Sequence, residues 1–160
     1  MSQIIKNTRL FKECTIQELE EIADLCKTVT FKNGEHIFKA KSFAEYLYIV
    51  SEGAVELHFE INYYNASQEL TLERKTRGEV FGWSALTKPN VYTLTALAAK
   101  NSDLLCLNER DLKELCVKNE HLGYVLMKNI AEIIGERFQM AQNMLVNEIQ
   151  NNFNEKESRM

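Results

Sequence analysis

The residues best suited to chemistry lie together in one stretch, residues 78–98, which has the sequence GEVFGWSALTKPNVYTLTALA. This stretch holds two of the six glycines, the only proline and the only tryptophan of the chain, and it interrupts strand-like sequence with a short helical turn. Trp83 offers a ring that can stack on a ligand, and Ser84 and Thr93 offer hydroxyl groups. We therefore predict that this stretch forms the ligand site.

Metal and nucleophilic chemistry have weaker candidates. The three histidines, His36, His58 and His121, include no His-x-His pair, and the four cysteines include no Cys-x-x-Cys pair. The sequence also lacks a glycine-rich phosphate loop, a nucleophile elbow and paired catalytic carboxylates. We predict reduced thiols, no metal, no cofactor and no enzymatic activity.

Composition narrows the class of protein. A chain of 160 residues with 45% hydrophobic content can bury one core, and its net charge of -4, with scattered basic residues, predicts no binding of nucleic acid by the chain itself. The sequence contains neither a signal peptide nor an apolar run of the ~18 residues that a membrane span needs. We expect a soluble, cytoplasmic protein that does not enter a membrane.

The elements that must position the stretch begin with a helix. Thr15 and Glu18 form a capping box, which predicts a helix over residues 16–27. From residue 28 the pattern changes to roughly eight short strands separated by turns, as in a sandwich or barrel. An Asn-Gly pair at Asn33 and Gly34 predicts a hairpin between the strands 28–31 and His36–Phe38. Further strands are predicted at 46–50, 54–61, 68–75, 94–99 and 104–107, with a loop at 62–67.

Two helices are predicted after the strands. Asn108 caps the first, over Glu109–Lys118, and the second begins near His121 and continues past Ile149. A helix of about 30 residues spans about 45 Å, which is more than the width of so small a domain. Part of it must therefore project from the domain or meet a partner, which favours a dimer. The candidate dimer stripe comprises Ile130, Ile134, Phe138, Ala141, Leu145 and Ile149.

These predictions divide the chain into three parts. Residues 1–120 form a β-roll domain with its flanking short helices, residues 121–150 form the long helix, and residues 151–160 form a tail that we expect to fray.

Three glycine-containing motifs resemble those of a known family. The ordered set V-x-F-x-x-G-E, L-Y-I-V-x-x-G-x-V and G-E-V-F-G is similar to that of the cyclic-nucleotide-binding domain of the catabolite activator protein and its Crp/Fnr-like relatives. The resemblance covers about residues 10–150. It implies a mainly β fold, a double-stranded β-roll of the jelly-roll type, with an N-terminal helix and a long C-terminal dimerisation helix. A DNA-binding domain often follows in that family, and we expect none here.

The resemblance also implies a ligand cassette. In the family, backbone amides at a short helix hold a cyclic phosphate, an arginine pairs with it, and a glutamate takes the ribose hydroxyl. Gly82 matches the cassette glycine, but Trp83 stands at the glutamate position and Tyr92 at the arginine position, with Thr93 beside it. Losing the arginine should weaken binding by about ten- to a hundredfold. We therefore predict that cyclic AMP is not held in the usual way.

Two interpretations of the cassette stay open. The amides of Trp83, Ser84 and Ala85 can still receive a nucleotide or another small anion, which favours a non-catalytic sensor, homodimeric through the long helix and acting on a protein partner. Alternatively, Trp83 fills the space of the ribose and Tyr92 is a core residue. The chain is then a ligand-free interaction protein with a vestigial pocket.

Overall fold

The computed structural model describes residues 2–63 and 66–158. The helices are α1 (Ser2–Asn7), α2 (Ile16–Leu25), α3 (Glu109–Lys118) and α4 (Glu120–Ser158), with short 3₁₀ helices at Arg9–Phe11 and Trp83–Leu86. The strands are β1 (Lys27–Phe31), β2 (His36–Phe38), β3 (Tyr46–Glu52), β4 (Val55–Tyr63), β5 (Ala66–Lys75), β6 (Val80–Phe81), β7 (Thr95–Ala98) and β8 (Ser102–Asn108). The predicted mainly β fold with flanking helices is confirmed.

The strands form two four-stranded antiparallel sheets. The first has the order β1-β8-β3-β6, and the second has the order β2-β7-β4-β5. The central strand β8 is apolar on both faces because its side chains serve two cores. Leu104 and Cys106 face the core between the sheets, whereas Leu105 and Leu107 face the helices. Strict alternation of side chains in a strand explains how one apolar run fills both layers.

The turn at Asn33 and Gly34 does not make the predicted hairpin. The turn itself is present, since Glu35 N donates to Lys32 O at 3.0 Å and Gly34 has a φ of 85°. However, β1 pairs with β8 and β2 pairs with β7, so the turn carries the chain from one sheet to the other. The hairpin prediction is wrong because long-range strand pairing overrides the local turn signal.

The hairpin of the second sheet lies where the sequence predicted a loop. β4 and β5 stay paired up to Tyr63 and Ala66, with one shift of register between Leu57 and His58, so most of the predicted 62–67 loop is strand. Tyr64 and Asn65, at the centre of that predicted loop, lie outside the described residues. β5 is one of the two edge strands of its sheet.

The short helices follow their sequence signals. The capping box is formed, with Glu18 N donating to Thr15 Oγ1 and Thr15 N donating to Glu18 Oε2, although α2 ends at Leu25, two residues before the predicted end. Asn108 caps α3 by accepting from Arg110 N, as predicted. Helix α1 was not predicted. It has no acidic residue in its first turn, and its Ile5 is fully buried in the core.

The long helix α4 packs on the domain only along its first part. Leu122, Leu126 and Ile130 are buried in the core beside the first sheet, and Asn129 anchors the helix by donating to the carbonyls of Leu10 and Lys12. The assignment of Ile130 to the dimer stripe is therefore wrong, because only 4% of it is exposed. Ile134 is half-buried and packs against the same core.

The later part of α4 leaves the domain. Phe138, Ala141, Leu145 and Ile149 are exposed, which keeps them available as the predicted stripe. The 39-residue helix extends about 58 Å at ~1.5 Å per residue and continues to Ser158. The helix thus includes residues 151–158, and fraying of this tail stays a prediction.

Neither a membrane-spanning helix nor a metal-binding group of side chains is found within residues 2–63 and 66–158. No helix there has both the length and the apolar character needed to cross a bilayer. No group of three or more histidine, cysteine, aspartate or glutamate side chains is placed to hold a metal ion. All four cysteines are free, and burial raises the pKa of the Cys14 thiol to about 11 and that of Cys26 to about 12.

Candidate functional site

The predicted ligand stretch forms a tight turn at the edge of the first sheet. Gly82 follows β6 with a φ of 77°, a left-handed conformation that favours glycine, and it leads into the 3₁₀ helix Trp83–Leu86. A Cβ atom at Gly82 would lie 3.0 Å from Tyr46 O and 3.3 Å from the Tyr48 ring. A glycine is thus required both by the backbone and by the close approach of β3.

The amides of this turn are only partly available to a ligand. Ala85 N donates to Gly82 O at 3.1 Å, and Ala85 is fully buried, so its predicted role as an anion donor is wrong. Within the described part of the chain, no acceptor contacts the amides of Trp83 or Ser84. Two of the three predicted donors therefore remain.

Tyr92 is built into the interior of the roll. Only 4% of it is exposed, its hydroxyl donates to Tyr46 O at 2.6 Å, and the same hydroxyl accepts from Tyr46 N at 3.2 Å. Its ring stacks on Phe38 with centroids 3.6 Å apart and planes 7° apart. Burial raises the pKa of the Tyr92 hydroxyl to about 12. The hydrogen-bonding capacity and the ring face of Tyr92 are thus engaged within the protein.

Little space remains between the two sheets. Phe38, Tyr48, Phe81 and Tyr92 form a continuous aromatic group with neighbouring centroids 3.6 to 5.9 Å apart. The cavity beside it, which we call the roll cavity, is lined by Phe38, Leu57, Gly82, Trp83, Ser84, Tyr92, Thr93, Leu94 and Arg137. Its interior leaves about 20 Å³ for the centres of water molecules, enough for about one water. The cavity brings together every predicted site residue except Ala85, but in this form it does not admit a nucleotide.

A residue that the sequence analysis missed also borders this cavity. Arg137 reaches back from α4 and places its guanidinium 5.3 Å from the centroid of the Trp83 ring, within the range of a cation–π contact. It also forms an ion pair with Glu73 on β5. Burial lowers the pKa of the guanidinium, which is nonetheless still charged at neutral pH.

The sequence contained one clue to Arg137. It is the only basic residue between Lys128 and Lys156, so it interrupts a long segment of otherwise apolar, acidic and amide side chains. Its contact with Trp83 joins residues 54 positions apart and could not be read from local spacing. The long helix thus places a positive charge near the turn, where it is paired with Glu73.

Comparison with known proteins identifies the architecture. Residues 28–119 match the family model described as the cyclic nucleotide-binding domain. A Geobacter metallireducens protein described as cyclic nucleotide-binding is similar to this chain at 33% identity and a TM-score of 0.70, over 86% of this chain and 97% of that one.

Two further solved structures are similar in fold. The catabolite activator protein of Thermus thermophilus is 24% identical with a TM-score of 0.73, over 86% of this chain and 62% of that one. A cyclic nucleotide-binding domain from Methylobacillus flagellatus is 15% identical with a TM-score of 0.76, over 91% and 80% of the two chains. The predicted β-roll and the resemblance to this family are confirmed.

Proposed function

The chain belongs to the cyclic nucleotide-binding domain family, and on that premise we propose that it is a non-catalytic regulatory module whose cassette does not hold cyclic AMP in the usual way. The observation that carries this proposal is the state of Tyr92. The residue at the expected arginine position is an uncharged ring, stacked on Phe38 and hydrogen-bonded to the backbone of Tyr46. It therefore offers no cation to a cyclic phosphate.

The contacts with cyclic AMP that this cassette lacks are stronger than those it keeps. A charge-assisted hydrogen bond contributes about 1.5 to 3 kcal/mol, and the usual arginine and glutamate each make such contacts. The free amides of Trp83 and Ser84 remain, but a helix terminus contributes at most about 2 kcal/mol, and this helix has only four residues. The remaining donors do not replace both charged partners. In addition, the aromatic group would have to move before a nucleotide could enter.

We further propose that the module is a homodimer through the later part of α4. Exposed apolar side chains rarely occur in long rows on a monomer. Beyond residue 137 they recur at helical spacing: Phe138, Leu145 and Ile149 are 64%, 61% and 45% exposed. A second copy of the same helix would cover this row in an antiparallel or parallel pair. The output of the module would then pass through this helix to another protein, within a reducing cytoplasm that suits four free cysteines.

One observation favours the alternative of a ligand-free interaction protein. The roll cavity has room for about one water molecule, and the stacked rings of Phe38 and Tyr92 and of Tyr48 and Phe81 pack beside it. A vestigial pocket packed in this way would leave the helix surface as the functional part of the chain. The sensor and the ligand-free interaction protein would both be dimers. They differ in whether a ligand changes the structure of the dimer.

Titration of the single tryptophan separates them. Trp83 lines the roll cavity, so its fluorescence should respond to an occupant there. Cyclic AMP, cyclic GMP, linear nucleotides and inorganic phosphate would be added to the purified full chain, with thermal shift as a second readout. A saturable response to one of these ligands supports the sensor. No response of either readout to any of them supports the ligand-free alternative for this set of ligands.

A further inference from the structure

One buried histidine on the hairpin of β4 and β5 makes no hydrogen bond with its ring. His58 lies on β4 and is 9% exposed. Neither of its ring nitrogens has a hydrogen-bond partner among residues 2–63 and 66–158. Buried polar groups of folded proteins are nearly always hydrogen-bonded, so an exception calls for a physical reason. The groups around the ring supply that reason.

Each ring nitrogen of His58 faces a carboxylate. Nε2 lies 3.5 Å from Glu56 Oε2, on the same strand, and Nδ1 lies 3.8 Å from Glu69 Oε2, on β5. Both distances are longer than the about 2.7–3.2 Å of an N–H···O hydrogen bond but suit an ion pair. A neutral imidazole carries one N–H and can serve only one of the two carboxylates, whereas the protonated ring donates from both nitrogens. The arrangement therefore matches the imidazolium form.

The face of the hairpin that carries His58 has an excess of acid. Glu56 lies opposite Arg74 in the strand pair, and Glu60 lies opposite Glu69. Alternate residues of a strand share a face, so these four side chains lie on the same side of the sheet as His58. They comprise three carboxylates and one guanidinium, and Arg74 Nη1 already pairs with Glu56 Oε1 at 2.9 Å. Like charges directly opposite each other destabilise a strand pair, so a further positive charge is favourable here.

The strands on the other side of β4 bring no acid to this ring. β7 places Thr95 opposite His58 and Leu97 opposite Glu56. Leu97 pairs in turn with His36 on β2, and His36 is exposed. His58 is thus the histidine that the carboxylates flank, whereas His36 lies one strand further across the same face.

We propose that His58 is a proton-dependent brace of the hairpin: its protonated ring binds Glu56 and Glu69 and thereby joins β4 to β5. The brace lies at the shift of register between Leu57 and His58, where the ladder of backbone pairs is interrupted. Histidine is the side chain whose charge ordinarily changes between about pH 5 and 8. Because the imidazolium is the form that gains the two contacts, the brace is present at the acidic end of this range and lost at the basic end.

The braced strand also contacts the long helix. β5 continues from Glu69 to Glu73, whose carboxylate pairs with Arg137 of α4. Protonation of His58 therefore steadies the strand that provides this contact. The brace needs no ligand and does not rest on the proposed regulatory function.

Hydrogen exchange of the full chain at pH 5.5 and pH 8.0, followed by mass spectrometry and corrected for intrinsic exchange rates, measures the brace. The amides that pair β3 with β8 in the first sheet serve as the internal reference. Relative to them, two partly exposed ion pairs should protect the β4–β5 amides about two- to thirtyfold more at pH 5.5 than at pH 8.0. The ¹⁵N resonances of the His58 ring should show a hydrogen on both nitrogens at pH 5.5.

Three variants assign the effect. His58→Phe should abolish the pH effect and leave the hairpin no less protected at pH 8.0, because an unpartnered buried polar group is removed. Glu69→Gln should reduce the pH effect, because one of the two carboxylate charges is lost. His36→Phe is the matched control: it removes a histidine from the same face and should leave the pH effect unchanged.

Equal protection of the hairpin at the two pH values in the wild type, or an undiminished pH effect in His58→Phe, would overturn the proposal. Loss of the effect in His36→Phe would do the same. The Glu69 side chain is 56% exposed, so Glu69→Gln tests the brace even if His58→Phe does not fold. None of these outcomes bears on the proposed regulatory function, which is tested by nucleotide titration and by the state of association.

Discussion

Replacing Phe138 and Leu145 together by aspartate is expected to convert the proposed homodimer into monomers. The two side chains are 64% and 61% exposed in the single chain. They lie about two helical turns apart on the outer part of α4. Complete burial of such a side chain contributes about 1.5–3 kcal/mol, so covering the exposed three-fifths contributes about 1–2 kcal/mol for each. In a symmetric dimer each residue occurs twice.

The four side chains together therefore account for about 4–7 kcal/mol of the association free energy. At about 1.4 kcal/mol per decade, the double variant should weaken the dimer by roughly 10³- to 10⁵-fold. The carboxylates add a further penalty, because they would be buried without partners. A dimer with a Kd of about 1 μM would then have a Kd of about 1 mM or weaker and would not be detected at ordinary protein concentrations.

Sedimentation velocity over a range of concentrations measures the effect. The wild type should sediment as a dimer and the Phe138→Asp, Leu145→Asp variant as a monomer. Val117→Asp is the matched control, since Val117 is 82% exposed but lies on α3, away from the stripe. A wild type that is monomeric throughout, a double variant that remains dimeric, or an equal effect of Val117→Asp would refute the assignment of the dimer surface.

Three further predictions concern the frame around the site. The hydrogen bonds that Glu18 accepts from Thr15 and His121 outweigh its burial and lower its pKa, so it contributes stability at neutral pH that is lost as the pH falls below the usual 4.5. Chemical denaturation of Glu18→Gln should show a weaker loss of stability between pH 5 and 3 than the wild type, and parallel profiles would contradict this. Gly53→Ala should lower the melting temperature far more than Gly34→Ala, because a Cβ at Gly53 would lie 2.2 Å from Ser102 Oγ whereas one at Gly34 meets nothing within 4 Å. Both glycines have a positive φ, so backbone strain is common to the two variants. Equal losses of stability would therefore contradict the role of the clash. Cys26, with its pKa raised to about 12, should react with iodoacetamide at pH 8 much more slowly than a free thiol, and a rate equal to that of glutathione would contradict its burial.

Local signals in the sequence were enough for several elements of the frame. The capping box at Thr15 and Glu18 located the start of α2, and the cap at Asn108 located the whole of α3. These signals succeed because the residues that decide the structure are three or fewer positions apart. The strand His36–Phe38 was likewise located by the turn residues that flank it.

Features that depend on distant contacts were not predictable. The Asn33-Gly34 turn was correctly placed, but the partner of β1 is β8, more than 70 residues away, and no local pattern specifies that pairing. Ile130 has the same side chain and helical spacing as a dimer residue, and only its contact with the first sheet shows that it belongs to the chain's own core. Whether an apolar face of a helix is buried within the chain is thus decided by the elements that pack against it, not by the spacing of its residues.

The candidate site likewise combines residues that local spacing located with one that only a distant contact brings in. Gly82, Trp83 and Tyr92 were located by their spacing within one stretch, whereas Arg137 enters the site from the far end of the sequence. The availability of the amides also depended on local geometry, since the tight 3₁₀ turn engages Ala85 N where a wider helix would leave it free. The side chains at positions 83 and 92 showed that the usual charges are missing, and only the fold revealed Arg137 beside Trp83.

The most direct test of the central claim is calorimetric titration of cyclic AMP into the wild-type protein. Trp83 and Tyr92, standing where the family resemblance implies a glutamate and an arginine, are proposed to withhold cyclic AMP from the turn at Gly82. We predict no saturable heat at micromolar concentrations of protein and nucleotide. Saturable binding of one cyclic AMP per chain in the micromolar range would contradict the claim.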